Sequence, residues 1–335
     1  MTYSAFKFTP DGAVLSFLTQ AELDADTNQG FIWIDLETQD PEQMLKLAEG
    51  YRLHELTLED ALTPGHYPKL EDFGAYYFLI FRSLNPSLFT EEDGDQNNDE
   101  LDDIERYTKG ISIFLSENFV ITHRMFELPW LDAVQRQIER GRAENVPQST
   151  DEIAHRVIDV LTDRFARTLA QVDYKIDSYE EQAIEHPEDF ELTDVLQLKR
   201  ELGVLRQIMR DQRVIISRLA HDPLVIKAKH QRRYFKDIED HAIAAIKTIS
   251  NQIESLVNIR DVYFAMANVR LGDIMRILAV ITTLAVPLNL VVGFYGMNFD
   301  VIPFLHDPDG FWLIVVFMIV VSIGMLFFFR RQRWI

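Results

Sequence analysis

The end of the chain contains two long runs without a charged residue. Ile277 to Tyr295 and Phe311 to Phe329 each have 19 residues. As a helix, each run is about 28 Å long, close to the thickness of a bilayer's hydrocarbon core. Two buried core helices of a soluble protein are the alternative, but the basic ending after the second run favours membrane spans. We predict four segments here: transmembrane helices at 277–298 and 311–329, an external loop at 299–310, and a basic tail at 330–335.

Basic residues flank these spans on one side only. Arg270 and Arg276 precede the first span, and the tail carries three further arginines. The connecting loop has no Lys or Arg. By the positive-inside rule, both termini are cytoplasmic and the loop is external. We therefore expect a multi-pass protein of the cell inner membrane, with the lipid bilayer as a partner.

The charge of the chain limits what its cytosolic part can bind. The net charge is −20, and residues 277–335 contain three Arg against three Asp, so the whole excess belongs to residues 1–276. Such a domain repels nucleic acid and concentrates cations. The absence of cysteine excludes thiolate metal sites. No phosphate-binding glycine loop or nucleophile elbow is present, so we predict no enzymatic reaction.

The first part of the chain, residues 1–150, has the pattern of an α+β domain. Four short β-branched and aromatic runs predict strands, at 31–36, 76–81, 111–115 and 119–123. The last two form a predicted hairpin, and 41–50 and 54–62 look helical. Glu91 to Glu105 has nine acidic residues and no basic one. It is interpreted either as a solvated loop or as a weak cation site.

A helical pattern then continues almost to the end of the chain. Residues 151–231 predict a helical hairpin, which His186-Pro187 interrupts. A third helix starts near 232, and its cytosolic part is 232–276. Read on to Tyr295 it is about 96 Å long. A helix of this length needs partners along most of its surface, so we expect an oligomer whose long helices line a pore.

The first span ends on Tyr295-Gly296-Met297-Asn298. In this position, before a short acidic loop and a second span, the triplet resembles that of the CorA superfamily of two-span metal-ion transporters. Tyr234 to Asp237, Asp261 to Tyr263, Asp273 to Arg276 and Pro287 follow the same family's pattern, as does Pro68 to Glu71.

The resemblance implies a homopentameric channel in which the long helices form a funnel. Gly296, Met297 and Asn298 would then lie at the outer mouth, where a ring of Asn298 side chains binds a hydrated ion. This suits Mg²⁺, which gives up its water reluctantly. A helix C-cap is the alternative role for Asn298.

Helical periodicity defines a stripe that continues inward from the triplet. Steps of three or four residues reach Asn289, Val286, Thr282, Met275 and Gly272. These side chains are small, polar or narrow, as a lumen requires. Asn289 is costly against lipid, so we place it in the pore; an interhelical hydrogen bond is the alternative.

Four polar residues of the long helix are candidate metal ligands. Asp237 matches the family position of a regulatory ion, with a partner in 91–105 that the sequence does not identify. Asp261 is a second oxygen ligand. Asp240 and His241 follow Asp237 by three and four residues and share its face. With them the face suits Zn²⁺, Co²⁺ or Ni²⁺, although ordinary surface charge explains it too.

The external loop departs from the family pattern and leaves the cargo open. Its candidate residues are Asp300, His306, Asp307 and Asp309. We expect Mg²⁺, with Co²⁺ or Ni²⁺, as cargo, and divalent ions as regulators without any other cofactor. The alternative is a Zn²⁺ transporter of the ZntB branch, since Asp309 to Trp312 look closer to it. A membrane-anchored structural or interaction protein is the third hypothesis.

Overall fold

The computed structural model describes residues 2–10, 12–17, 19, 23, 29–85, 103–139, 146–298, 302–304, 307, 309–332 and 334. The chain divides into two compact units. The first consists of residues 1–180 and 191–258, and the second of residues 181–190 and 259–335.

The first unit contains a seven-stranded sheet in the order β2-β1-β3-β7-β6-β5-β4. Neighbouring strands are antiparallel except for β3 and β7, which are parallel. The strands are β1 (Thr2–Phe8), β2 (Val14–Phe17), β3 (Phe31–Glu37), β4 (Lys69–Asp72), β5 (Tyr77–Leu84), β6 (Thr108–Leu115) and β7 (Phe119–Arg124).

The predicted hairpin is confirmed. Strands β6 and β7 pair in register from Ile111 opposite Arg124 to Leu115 opposite Val120. Two helices, α1 (Pro41–Tyr51) and α2 (Glu55–Leu62), pack on the sheet through a core that includes Ile34, Phe78 and Phe114. Short helices α3 (Asp103–Tyr107) and α4 (Pro129–Glu139) precede and follow the hairpin.

A buried charged network ties β3, β7 and α4 together. Asp35 is fully buried and accepts hydrogen bonds from Thr122 (2.6 Å), Gln135 (2.7 Å) and Arg124 (3.0 Å). Burial raises the pKa of Asp35, against the opposing effect of the Arg124 guanidinium. Because Arg124 forms ion pairs with Asp35 (3.0 Å) and Asp132 (2.6 Å), the network holds the sheet without leaving a lone buried charge.

Three long helices follow the sheet. They are α5 (Thr150–Glu185), α6 (Leu192–His221) and α7 (Lys229–Tyr295). Each buries an apolar stripe at helical spacing, for example Val157, Leu161 and Phe165 on α5. The 67-residue helix α7 begins three residues before its predicted start and carries Pro287 inside it.

Helix α7 is joined to α5 by side chains as well as by apolar packing. Gln252 of α7 is buried, and its amide donates to the Leu169 carbonyl (2.8 Å) and to the Asp173 carboxylate (2.7 Å) of α5. The rings of Tyr234 and Phe235 lie 5.4 and 5.6 Å from that of His155. These contacts fix which faces of α5 and α7 meet.

The second unit contains the end of α7, helix α8 (Gly310–Arg331) and the turn between α5 and α6. Both α7 and α8 are long and apolar enough to cross a membrane. Their apolar side chains face outward, with Leu290 74% and Phe327 69% exposed. Core helices of a soluble protein would bury these side chains, so membrane spans are the better interpretation.

Candidate functional site

The Gly-Met-Asn triplet lies where α7 ends. Gly296 donates its backbone N–H to the Val292 carbonyl at 2.9 Å, and Met297 donates to Phe294 at 3.4 Å. A side chain on Gly296 would bring its Cβ to 3.1 Å from the Val292 oxygen, so glycine allows this tight ending. Asn298 follows as an exposed residue without the left-handed backbone of a helix C-cap. Its amide is therefore available to a ligand.

The predicted pore stripe lies along one face of α7. Gly272, Met275, Thr282, Val286 and Asn289 are exposed or half-buried in the single chain. The Thr282 hydroxyl donates to the Leu278 carbonyl at 2.8 Å, so its polar group is already satisfied inside the helix. The side-chain amide of Asn289 has no hydrogen-bond partner within the described residues. Thus an exposed amide remains in the middle of a membrane span.

The structure brings His241 of α7 together with two carboxylates of α5. Ligand atoms of Asp159, Asp163 and His241 all lie within 4.8 Å of one another, and His241 Nδ1 is 3.4 Å from Asp163 Oδ1. We call these three residues the carboxylate–histidine cluster. Asp240, predicted beside His241, is not part of it. One imidazole and two carboxylates suit Zn²⁺, Co²⁺ or Ni²⁺, and the carboxylates also suit Mg²⁺.

Two further titratable residues act on this cluster. Burial raises the pKa of Asp159, and the charges of Asp163 and Asp237 raise it further, against the effect of His155 and His241. Burial lowers the pKa of His155. The charges of Asp163 and Asp237 therefore disfavour the ionised form of Asp159, and a cation bound to the cluster would relieve this repulsion.

Asp159 and Asp163 were missed by the sequence analysis. They follow His155 by four and eight residues, so the three side chains share one face of α5. That spacing was the available signal. It was hidden because the same segment carries the apolar stripe that packs the helix, and because the partner His241 is 78 residues away from Asp163 along the chain.

The remaining predicted ligands are placed individually. Asp261 is exposed and accepts two hydrogen bonds from the neighbouring Arg260, at 2.7 and 3.0 Å. In the external loop, Asp307 accepts from the backbone N–H of Asp309 at 3.1 Å, and both are exposed. Asp300 and His306 lie outside the described residues.

At the end of the acidic segment Glu91 to Glu105, the side chain of Glu105 is buried. Glu105 is 6% exposed, receives the Arg82 guanidinium at 2.5 Å and accepts from the Gly65 N–H at 2.8 Å. Asp103 pairs with Arg200 of α6 at 2.9 Å. The expectation of a solvated loop or surface cation site is wrong for Glu105, because the buried Arg82 guanidinium neutralises it, whereas the Asp103–Arg200 pair lies at the surface. Residues 91–102 lie outside the described residues.

Comparison with known proteins gives one consistent result. The model of the CorA-like Mg²⁺ transporter protein family matches residues 28–331. The cobalt/magnesium transport protein CorA of Thermotoga maritima is 29% identical over 290 residues, covering 87% of this chain and 79% of that protein. The zinc transport protein ZntB of Yersinia enterocolitica is 23% identical over 313 residues, covering 90% and 88%.

Solved structures share the fold. The complete structure of the CorA magnesium transporter of Methanocaldococcus jannaschii superposes with a TM-score of 0.83 at 20% identity, covering 100% of this chain and 99% of that one. The ZntB cytoplasmic domain of Vibrio parahaemolyticus gives a TM-score of 0.62 at 14% identity, covering 80% and 99%. At these identities the likeness concerns the fold alone.

Proposed function

The chain belongs to the family of CorA-like Mg²⁺ transporter proteins, and on that premise we propose that it is an inner-membrane channel that carries Mg²⁺ through a homopentameric pore. Family membership makes it a divalent cation transporter of the CorA family. The proposal of an Mg²⁺ channel rests on Asn298, which is exposed and lies just after the apolar helix that ends at Tyr295.

The proposal of a pore rests on the polar face of α7 that is exposed in a single chain. Helix α7 is 67 residues long, and its membrane part exposes Asn289 on the same face as Thr282. An unpaired amide facing lipid is costly, whereas one facing a water-filled lumen is solvated. A ring of α7 helices satisfies this face and covers the apolar flanks. The pentamer is the assembly that the family resemblance implies.

The Asn298 ring favours hydrated Mg²⁺. Its amide oxygens can accept hydrogen bonds from the water shell of the ion without removing that shell, which Mg²⁺ holds strongly. With both termini cytoplasmic, this ring is at the outer mouth, and Asp307 and Asp309 lie in the loop beside it. The loop carboxylates concentrate divalent ions without selecting among them.

The carboxylate–histidine cluster supports regulation by the transported ion. It joins α5 to the cytosolic part of α7, and Asp237 contributes its charge on the same side. A cation bound there would hold the two helices in one arrangement. An ion present at 100 times its Kd stabilises the bound state by about 2.7 kcal/mol per site. We propose that this arrangement is that of the closed channel, so that metal in the cytosol would favour closure.

A Zn²⁺ transporter of the ZntB branch is the second candidate. The imidazole of His241 within 4.8 Å of two carboxylates is the observation that favours it, because Mg²⁺ makes little use of nitrogen ligands. His306 in the external loop points the same way.

Flux into proteoliposomes separates the hypotheses. We expect saturable Mg²⁺ uptake by the full-length protein, with Zn²⁺ added in competition. Uptake of Zn²⁺ that excess Mg²⁺ does not reduce would favour the zinc transporter. No uptake of either ion, with an assembled and folded protein, would leave the membrane-anchored interaction protein.

A further inference from the structure

The turn between α5 and α6 gathers a second set of metal-ligand atoms, apart from the carboxylate–histidine cluster. Ligand atoms of His186, Glu188 and Asp189 all lie within 4.8 Å of one another. We call these residues the turn triad. All three side chains are exposed, so an ion can reach them from solvent.

The local backbone holds the triad in place. His186 donates its N–H to the Gln182 carbonyl at 3.0 Å, and Asp189 donates to the His186 carbonyl at 3.0 Å. Pro187 fixes one further backbone angle in the turn. The next residue, Phe190, is 6% exposed and lies 5.0 Å from the ring of Tyr263 on α7. The backbone of the turn is therefore anchored on both sides.

A cation of the chain already occupies one side of the triad. Arg270 of α7 donates to Glu188 Oε2 at 2.7 Å. This hydrogen bond uses only Oε2 of Glu188, so Oε1 remains for a second cation.

We infer that the turn triad is a binding site for a transition-metal dication of the Zn²⁺, Co²⁺ or Ni²⁺ class. One imidazole nitrogen and two carboxylate oxygens form a three-ligand set that these ions accept, with water completing the shell. Mg²⁺ prefers an all-oxygen shell and is the poorer fit. The site goes beyond the proposed transport function, because it uses neither the pore stripe nor the carboxylate–histidine cluster.

The position of the site links it to the pore helix. Arg270 precedes the first residue of the membrane run, Ile277, by seven residues, or about 10 Å along the helix. A metal on Oε1 of Glu188 and the Arg270 guanidinium on Oε2 repel each other across the same carboxylate. Metal binding at the turn therefore weakens one contact between the α5–α6 turn and α7, close to the cytosolic membrane surface.

The chain has no cysteine, so a single dye can report on this site in the full-length protein. Ile184 is 44% exposed in the last turn of α5, two residues before His186, and Ile184→Cys provides the attachment point. Co²⁺ quenches a nearby dye, whereas Zn²⁺ has a filled d shell and does not. We expect saturable quenching by Co²⁺ that Zn²⁺ reverses and a large excess of Mg²⁺ does not.

Variants in the labelled background test the ligands. His186→Ala should weaken Co²⁺ binding about tenfold or more, and Asp189→Asn should weaken it in the same direction. Arg270→Gln should tighten it, because the repelling cation is gone; an unchanged affinity would contradict a metal on Glu188. His221→Ala, at the opposite end of α6, and His241→Ala, in the carboxylate–histidine cluster, should leave the curve unaltered.

Four outcomes would overturn the inference. They are the absence of quenching, an unaltered curve in His186→Ala, an unchanged affinity in Arg270→Gln, and equal displacement of Co²⁺ by Mg²⁺ and Zn²⁺. The last outcome would mean that the acidic turn merely accumulates cations. Because the readout is the dye and not transport, failure here leaves the proposed channel function untouched.

Discussion

Replacing Asp159 by asparagine should change the stability of the protein in opposite directions with and without metal. Asp159 is half-buried beside Asp163, His241 and Asp237. In a chelator, the substitution removes one of three clustered negative charges. With metal present, it removes a ligand. If Asp159 had only a structural role, the substitution would change the free energy of unfolding in the same direction with and without metal.

The repulsion can be sized from the geometry. Oxygens of Asp159 and Asp163 lie within 4.8 Å. Two unit charges at that distance repel by about 0.9 kcal/mol in water and about 3.5 kcal/mol at an effective dielectric constant of 20. Because the Asp163 side chain is 49% exposed, the water value is the closer one. In chelator, we expect Asp159→Asn to raise the free energy of unfolding by about 1 kcal/mol, which corresponds to about 2–4 °C in Tm.

A bound metal ion should change the stability of the protein more than the charge repulsion does. An ion at 100 times its Kd adds about 2.7 kcal/mol to the wild type, which corresponds to a rise in Tm of about 5–11 °C. Asp159→Asn should lose most of that rise. The assay is thermal unfolding of the full-length protein in detergent, followed by the fluorescence of Trp33 and Trp130, which are buried in the first unit.

The pH dependence gives an independent check. A raised folded-state pKa means that Asp159 favours its neutral form, so its unfavourable effect appears as pH rises through that pKa. The gain of Asp159→Asn in chelator should therefore shrink in acid. Asp177→Asn, at an exposed aspartate of the same helix, is the matched control and should keep the wild-type metal response. An undiminished metal-induced rise in Asp159→Asn would refute the site.

Four other predictions concern the pore, the external loop and the first unit. Asn298→Ala should abolish or deregulate cation flux while the oligomer still assembles; wild-type flux and selectivity would remove Asn298 from the mechanism. Neutralising the three aspartates of the external loop should lower uptake at low external metal and low salt, with little effect at saturation. Within that loop, His306→Ala should reduce only Zn²⁺ flux, and only if zinc is the cargo. Burial, helped by Glu117, raises the pKa of Asp151 to about 6, so Asp151→Asn should stabilise the protein at pH 7 and have little effect near pH 4, as chemical denaturation at the two pH values would test.

Much of the candidate pore is present in the sequence because it is local. A membrane span needs only an uninterrupted apolar run, and the stripe from Gly272 to Asn289 follows from the angle between successive residues of one helix. The hairpin of β6 and β7 is local as well, since a turn of only three residues separates its strands. No distant partner is needed to specify any of these.

The sequence by itself determined the two apolar helices, the long helix before them, the α+β domain and the residues at the end of the first span. Only the tertiary structure decided which charges meet. His241 is brought to Asp159 and Asp163 because α5 and α7 pack their apolar stripes together, and Glu105 is buried because Arg82 of β5 lies beneath it. Turn and helix patterns depend on neighbours in the chain, whereas a metal cluster depends on the packing of whole elements, and packing is a property of the folded chain.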